Sequence, residues 1–129
     1  MRVGVPKETA VGEQRVALVP EVVGKLKAKG LEILVQSGAG AAALLPDEAF
    51  LDAGAQLTDD PAEVWRADVV VTIAPPTPAD VARLGSGSLL IGFLAPLTNP
   101  AGTRALADAK ATALAMEAIP RISRAQAMD

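Results

Sequence analysis

The sequence predicts an α/β domain built on a doubly wound parallel sheet. Three observations carry this: short β-rich runs recur at wide, fairly even spacing, helical signals lie between them, and the runs are apolar at successive positions. Strands apolar on both faces are covered on both, and strands alternating with helices are joined by right-handed crossovers, which together give a parallel sheet between two helical layers.

The expected strands are Val3 to Val5, Ile33 to Val35, Val69 to Ile73, Leu89 to Phe93 and Ala113 to Met116. The pattern fits a flavodoxin-like domain, in which ligands gather beyond the C-terminal strand ends. After the first strand, a helix is expected from about Pro20. It should carry Val22, Val23 and Leu26 inward and Lys25, Lys27 and Lys29 outward as a solvated face, with Gly30 as its left-handed stop. Later helix starts are marked by a side-chain acceptor before a proline: Asp60-Pro61, Thr77-Pro78 and Asn99-Pro100. Each reads as an N-cap followed by proline at the first helical position. Glu63 and Asp80 stand three residues past their caps, where a carboxylate can reach back to a free N–H and meet the positive helix end. These acids are assigned to folding. The proline-rich stretch from Pro75 to Pro78 reads as a loop leaving the third expected strand.

Composition narrows the chemistry. The 129 residues suffice for one domain, and 50% hydrophobic content is ample for a core, which with two Phe, one Trp and no Tyr must be built from Val, Leu, Ile and Ala. A net charge of −3 provides no basic field for a phosphate backbone, and so few aromatics offer no stacking platform, so nucleic acid is not an expected partner. There is no cysteine and no histidine. Disulfides, a thiol nucleophile, thiolate metal sites and the commonest general base are therefore unavailable. No metal site is expected. The opening MRVGVPKETAVGEQR lacks a signal-peptide core, and nowhere do about 18 apolar residues run unbroken, so a cytoplasmic location is expected.

Two segments invite a functional reading. Gly38-Ala39-Gly40-Ala41-Ala42-Ala43 follows the second expected strand and matches the G-x-G-x-x-A form of a dinucleotide fingerprint. Such a fingerprint opens a helix long enough to lay its N-terminal dipole on a pyrophosphate, whereas Pro46 would break that helix early. A tight turn is the preferred reading. The other segment is Gly4-Val5-Pro6-Lys7-Glu8 followed by Glu13-Gln14-Arg15-Val16-Ala17-Leu18-Val19-Pro20. Lys7 and Arg15 would project cations beyond the first strand, where an α/β sheet holds an anion, or serve as ordinary surface charges.

The pairing of GVPKE with an E-x-R-V-A-x-x-P segment resembles the start of the alanine dehydrogenase and NAD(P) transhydrogenase superfamily. In the alanine dehydrogenase branch, the resemblance implies that an arginine at the position of Arg15 meets the substrate carboxylate. It further implies a lysine from a V-K-E-P turn after the third expected strand and a histidine after the fourth. Here the turn is Ile73-Ala74-Pro75-Pro76 and the later segment Phe93-Leu94-Ala95-Pro96, so both reactive side chains are missing. An amino acid dehydrogenase needs a group that exchanges a proton with substrate, which alanines cannot supply.

The transhydrogenase branch looks similar to the end of the chain, where Pro120-Arg121-Ile122-Ser123-Arg124-Ala125-Gln126-Ala127-Met128-Asp129 resembles the loop whose Arg, Gln and Asp contact the nucleotide. Arg121, Gln126 and Asp129 fall at the matching positions. A forked guanidinium, an amide that donates and accepts, and a carboxylate suit pyrophosphate and carboxamide recognition. Local chemistry leaves a second reading open: Ser123 and Gln126 have the spacing of a capping box, with Arg121 and Arg124 as exposed charges. The two are compatible.

The resemblance thus implies the N-terminal domain, residues 1–129, of the NAD(H)-binding component of a proton-translocating transhydrogenase. Ending in mid-motif at Asp129, the chain is expected to be part of a longer one, with a Rossmann NAD-binding domain downstream. It implies a homodimer, a partner component that binds NADP(H), a membrane proton-channel component, and a place on the cytoplasmic face of the membrane. Hydride passes directly between two nicotinamide rings, so alignment matters more than acid or base chemistry, and no residue is assigned an acid or base role. Two alternatives are an alanine-dehydrogenase-like oxidoreductase and a non-enzymatic flavodoxin-like interaction domain.

Overall fold

A computed structural model describes residues 1–10, 12–74, 76–85, 87–92 and 112–115. The described residues form one six-stranded sheet in the order β3-β2-β1-β4-β5-β6, with every neighbouring pair parallel. The strands are β1 (Arg2–Val5), β2 (Glu32–Gln36), β3 (Gln56–Thr58), β4 (Val69–Val71), β5 (Leu89–Gly92) and β6 (Thr112–Ala115). Helices α1 (Pro20–Ala28), α2 (Asp47–Asp52), α3 (Pro61–Trp65) and α4 (Pro78–Arg83) connect them, with a 3-10 turn at Ala41–Ala43.

All five expected strands are present, and without β3 their order is the flavodoxin-like 2-1-3-4-5. Strand β3 adds an edge beyond β2. Its Gln-Leu-Thr sequence carries one apolar residue, enough for an edge strand but too little for a recognisable run.

The central strands β1 and β2 are buried at successive positions, as a sheet covered by two helical layers requires. Val3, Val5, Ile33 and Val35 pack with Val23 of α1 and Phe50 of α2 on one face. Val70 and Leu90 pack with Trp65 of α3 and Val81 of α4 on the other. Burying a side chain such as Phe50 contributes about 2 to 3 kcal/mol. Gly4 permits the tightest contact: a Cβ there would stand 2.2 Å from the Val64 carbonyl oxygen, so α3 lies directly on the β1 backbone.

Helix α1 starts at Pro20, its Lys25 and Lys27 and the following Lys29 face solvent, and Gly30 stands at φ +90 after its end. Val22, expected inward, is exposed at 36%. The helix has nine residues and its inward stripe is only Val23 and Leu26, so the next position around the helix turns to water. Asp60 caps α3 by accepting from the Ala62 N–H at 3.0 Å, and Thr77 and Asp80 form a reciprocal capping box on α4. Glu63, expected to reach back to its cap, instead accepts from the Thr58 hydroxyl at 2.8 Å and ties α3 to the end of β3. Asn99-Pro100 lies outside the described residues.

Candidate functional site

The strand order reverses between β1 and β4, whose helical connections leave to opposite faces. The crevice beyond their C-terminal ends is where an open α/β sheet receives a ligand. A small open cleft lies there, with room for about one water in its 20 Å³, between the Pro6–Ala10 segment and the turn after β4; Trp65, Thr72, Ala74, Pro76 and Asp80 complete its wall.

Glu8 joins the two sides. Its Oε2 accepts from the Ile73 N–H and its Oε1 from the Ala74 N–H, both at 3.0 Å. Thr72 still donates to the Ile91 carbonyl at 2.8 Å, so the sheet ends where Glu8 takes over the next two donors. This accounts for β4 stopping at Val71, short of the expected Ile73. Burial pushes the Glu8 carboxyl above its ordinary value, against the lowering effect of the two N–H groups and with a smaller contribution from the Glu13 charge.

Lys7 lines the cleft, and its backbone N–H donates to Gln36 Oε1 at the end of β2. Its ammonium lies 3.8 Å from where a Cβ on Gly38 would stand, so it reaches toward the mouth of the neighbouring strand. Arg15 takes a different position, outside the cleft wall, in a two-pronged pair with Glu13: Nε to Oε2 at 3.0 Å and Nη2 to Oε1 at 2.9 Å. The Arg15 backbone N–H also donates to Glu13 Oε2. These contacts lower the Glu13 carboxyl to about 2 and hold Arg15 above its ordinary value. The Arg15 side chain remains 68% exposed.

Both carboxylates in the cleft wall are engaged at each oxygen. Glu8 accepts from backbone, while Asp80 accepts from the Thr77 N–H at 3.3 Å and from Arg83 Nη1 at 3.3 Å. Neither carboxylate of the wall is therefore left without a hydrogen-bond partner. Thr72 is buried at 5% exposure and its hydroxyl has no hydrogen-bond partner among the described residues. Sequence reasoning missed Glu8, Thr72 and Asp80 as wall residues: Glu8 meets backbone donors 65 and 66 residues away, and the local role of Asp80 in its helix cap hides its place at the cleft. Arg121, Gln126 and Asp129 lie outside the described residues.

The glycine segment after β2 is closed. Gly38 (φ +81) donates to Asp47 Oδ1 at 2.9 Å, and the 3-10 turn ends at Leu44 in a left-handed conformation before Pro46. A Cβ on Gly40 would stand 2.7 Å from both the Leu45 carbonyl oxygen and Phe50 Cε2, so this glycine is required by packing. No long helix follows it.

Comparison with known proteins agrees with this architecture. Residues 4–129 match the family described as "Alanine dehydrogenase/PNT, N-terminal domain". The chain is 39% identical over 129 residues to NAD(P) transhydrogenase subunit alpha of Haemophilus influenzae, covering 100% of this chain and 25% of that one. It is 40% identical over 120 residues to alanine dehydrogenase of Mycobacterium tuberculosis, covering 92% and 32%. The crystal structure of transhydrogenase from Sinorhizobium meliloti superposes with a TM-score of 0.95 at 36% identity, covering 100% and 39%. The chain thus spans 25% to 39% of the length of these three relatives. A parallel sheet with its crevice at the β1/β4 reversal and a matching sequence from Gly4 onward lead to one conclusion: this chain belongs to the alanine dehydrogenase/transhydrogenase N-terminal domain family.

Proposed function

We propose that residues 1–129 form the N-terminal domain of the NAD(H)-binding component of a proton-translocating transhydrogenase, which passes hydride between NAD(H) and NADP(H). The carrying observation is Ala74. It lines the cleft at the turn where the alanine dehydrogenase branch is expected to present a lysine, and both neighbouring carboxylates are already engaged. With alanine at that turn and both wall carboxylates engaged among the described residues, the wall suits a reaction that rests on alignment. The relatives named as transhydrogenase alpha subunits support the same branch.

Arg121, Gln126 and Asp129 would hold the cofactor through pyrophosphate and carboxamide contacts, with Lys7 and Arg15 as further cations near the mouth. NAD(H), when bound, supplies or receives the hydride. A Rossmann domain following this one, a homodimer, a partner that binds NADP(H) and a membrane component that moves protons complete the assembly, at the cytoplasmic face of the membrane. No helix among the described residues is long and apolar enough to cross a membrane.

In the complete assembly, Arg121→Ala and Gln126→Ala are each expected to slow hydride transfer by roughly tenfold or more, with circular dichroism unchanged. Unchanged turnover in both variants would overturn the assignment of this loop.

A further inference from the structure

We propose that Glu8 is a positioning residue that sets the separation of the two cleft walls and so the alignment of NAD(H) for hydride transfer, an inference that rests on the function proposed above.

Backbone donors are scarce in the turn after β4. The last sheet bond of β4 is Thr72 N–H to Ile91, and the next element, α4, begins at Pro78 under the Thr77 cap. Between them stand Ile73, Ala74, Pro75, Pro76 and Thr77. The two prolines have no N–H, and Thr77 N–H goes to Asp80 of its own helix. The backbone donors left to fix this turn to the rest of the domain are therefore those of Ile73 and Ala74, and Glu8 takes both. The contact spans 65 and 66 residues of sequence and crosses the strand-order reversal, so it links the segment after β1 to the segment after β4 at the crevice itself.

The turn has no reactive side chain of its own, since its cleft residues are Ala74 and Pro76. Where its backbone stands is therefore what it contributes. A carboxylate is suited to hold it, because its two equivalent oxygens can receive two adjacent N–H groups, whereas an amide offers one acceptor and sets its NH₂ against the other donor. Glu8 keeps this geometry although burial raises its carboxyl, a cost that a surface acid would not bear.

The test uses the full-length protein together with its NADP(H)-binding partner component, carrying E8Q, with E8D as a second variant whose shorter arm does not span both N–H groups. Three quantities are measured: single-turnover hydride transfer per folded molecule, NADH dissociation constant, and amide hydrogen exchange of Ile73 and Ala74. The expected result is faster exchange at both amides, a roughly tenfold slower hydride step and an NADH dissociation constant within about twofold of wild type. A merely structural role would reduce the folded fraction and leave the rate per folded molecule alone. Unchanged exchange would show that Glu8 is not the tether, and faster exchange with an unchanged hydride step would show that the tether does not align the cofactor. Absence of hydride transfer between the two nucleotides in the wild type would instead remove the proposed function, while the exchange data still decide the tether. If E8Q fails to fold, E8D decides the question on the same three readouts.

Discussion

Two segments stand at C-terminal strand ends of this domain, and they divide along a line that motif reading alone would draw the wrong way. The glycine turn after β2 has the letters of a dinucleotide fingerprint, yet six of its N–H groups are spent internally. Gly38 donates to Asp47, Ala39 to Gln36, Ala41 to Gly38, Ala43 and Leu45 to Gly40, and Leu44 to Ala41. The mouth between β1 and β4 has no glycine signature, yet it is open, carries the Lys7 ammonium, and is built at the sheet's reversal point. A phosphate cradle needs free donors aimed outward, so the spending of donors separates turn from site better than the spacing of glycines.

The strongest way to break this comparison is to burden the glycine turn. Gly40→Val drives a side chain into the Leu45 carbonyl and the Phe50 ring, and should cost about 3 kcal/mol by overpacking, read by denaturant unfolding. The folded fraction should keep the NADH affinity of the wild type. A loss of affinity in fully folded Gly40→Val would return the turn to the binding site.

A smaller effect bears on the mouth. Glu8 in the cleft wall and Glu13 outside it titrate in opposite senses. Glu13 is held at about 2, below its ordinary 4.5, so its contribution to stability is present above 4.5 and is lost as pH falls through about 2. Glu8 is raised above 4.5, so its contribution is full below 4.5 and is lost as pH climbs through the folded value. Side-chain carboxyl NMR should find the Glu13 midpoint near 2 and the Glu8 midpoint above 4.5. Midpoints in the reverse order would mean that Glu13 does not hold Arg15 and that Glu8 is not buried at the mouth.

The smallest effect supplies the baseline. Asp60→Ala removes the α3 cap, far in role from both segments, and should cost about 1 kcal/mol in chemical unfolding with hydride transfer unaltered. A kinetic change there would show that helix stability, not cleft geometry, governs the rate.

Much of the fold was legible because its signals are local. Proline after an acceptor marked α3 and α4, Gly30 marked the end of α1, and doubly buried runs marked five strands. Strand β3 escaped because an edge strand needs only Leu57 among polar neighbours, and Val22 was misplaced because a two-residue stripe does not resolve a helix face. Glu63 followed the nearby Thr58 hydroxyl instead of its own cap. The site was less legible. Lys7 was found from its place after a strand, but Glu8 acts on backbone donors 65 residues away, and no sequence pattern announces an acceptor for N–H groups across a sheet. Thr72 had no polar neighbour in sequence to suggest a role, since it sits at the end of a run of valines.

If this domain serves direct hydride exchange between nucleotides, the whole protein must show it without an amino acid substrate. The most direct measurement supplies the full-length protein and its partner component with NADPH and a spectrally distinct NAD analogue, then separately with NAD and alanine. The predicted result is reduction of the analogue in the first mixture and no alanine-dependent NADH in the second. Steady NADH production from alanine without transfer between the nucleotides would contradict it.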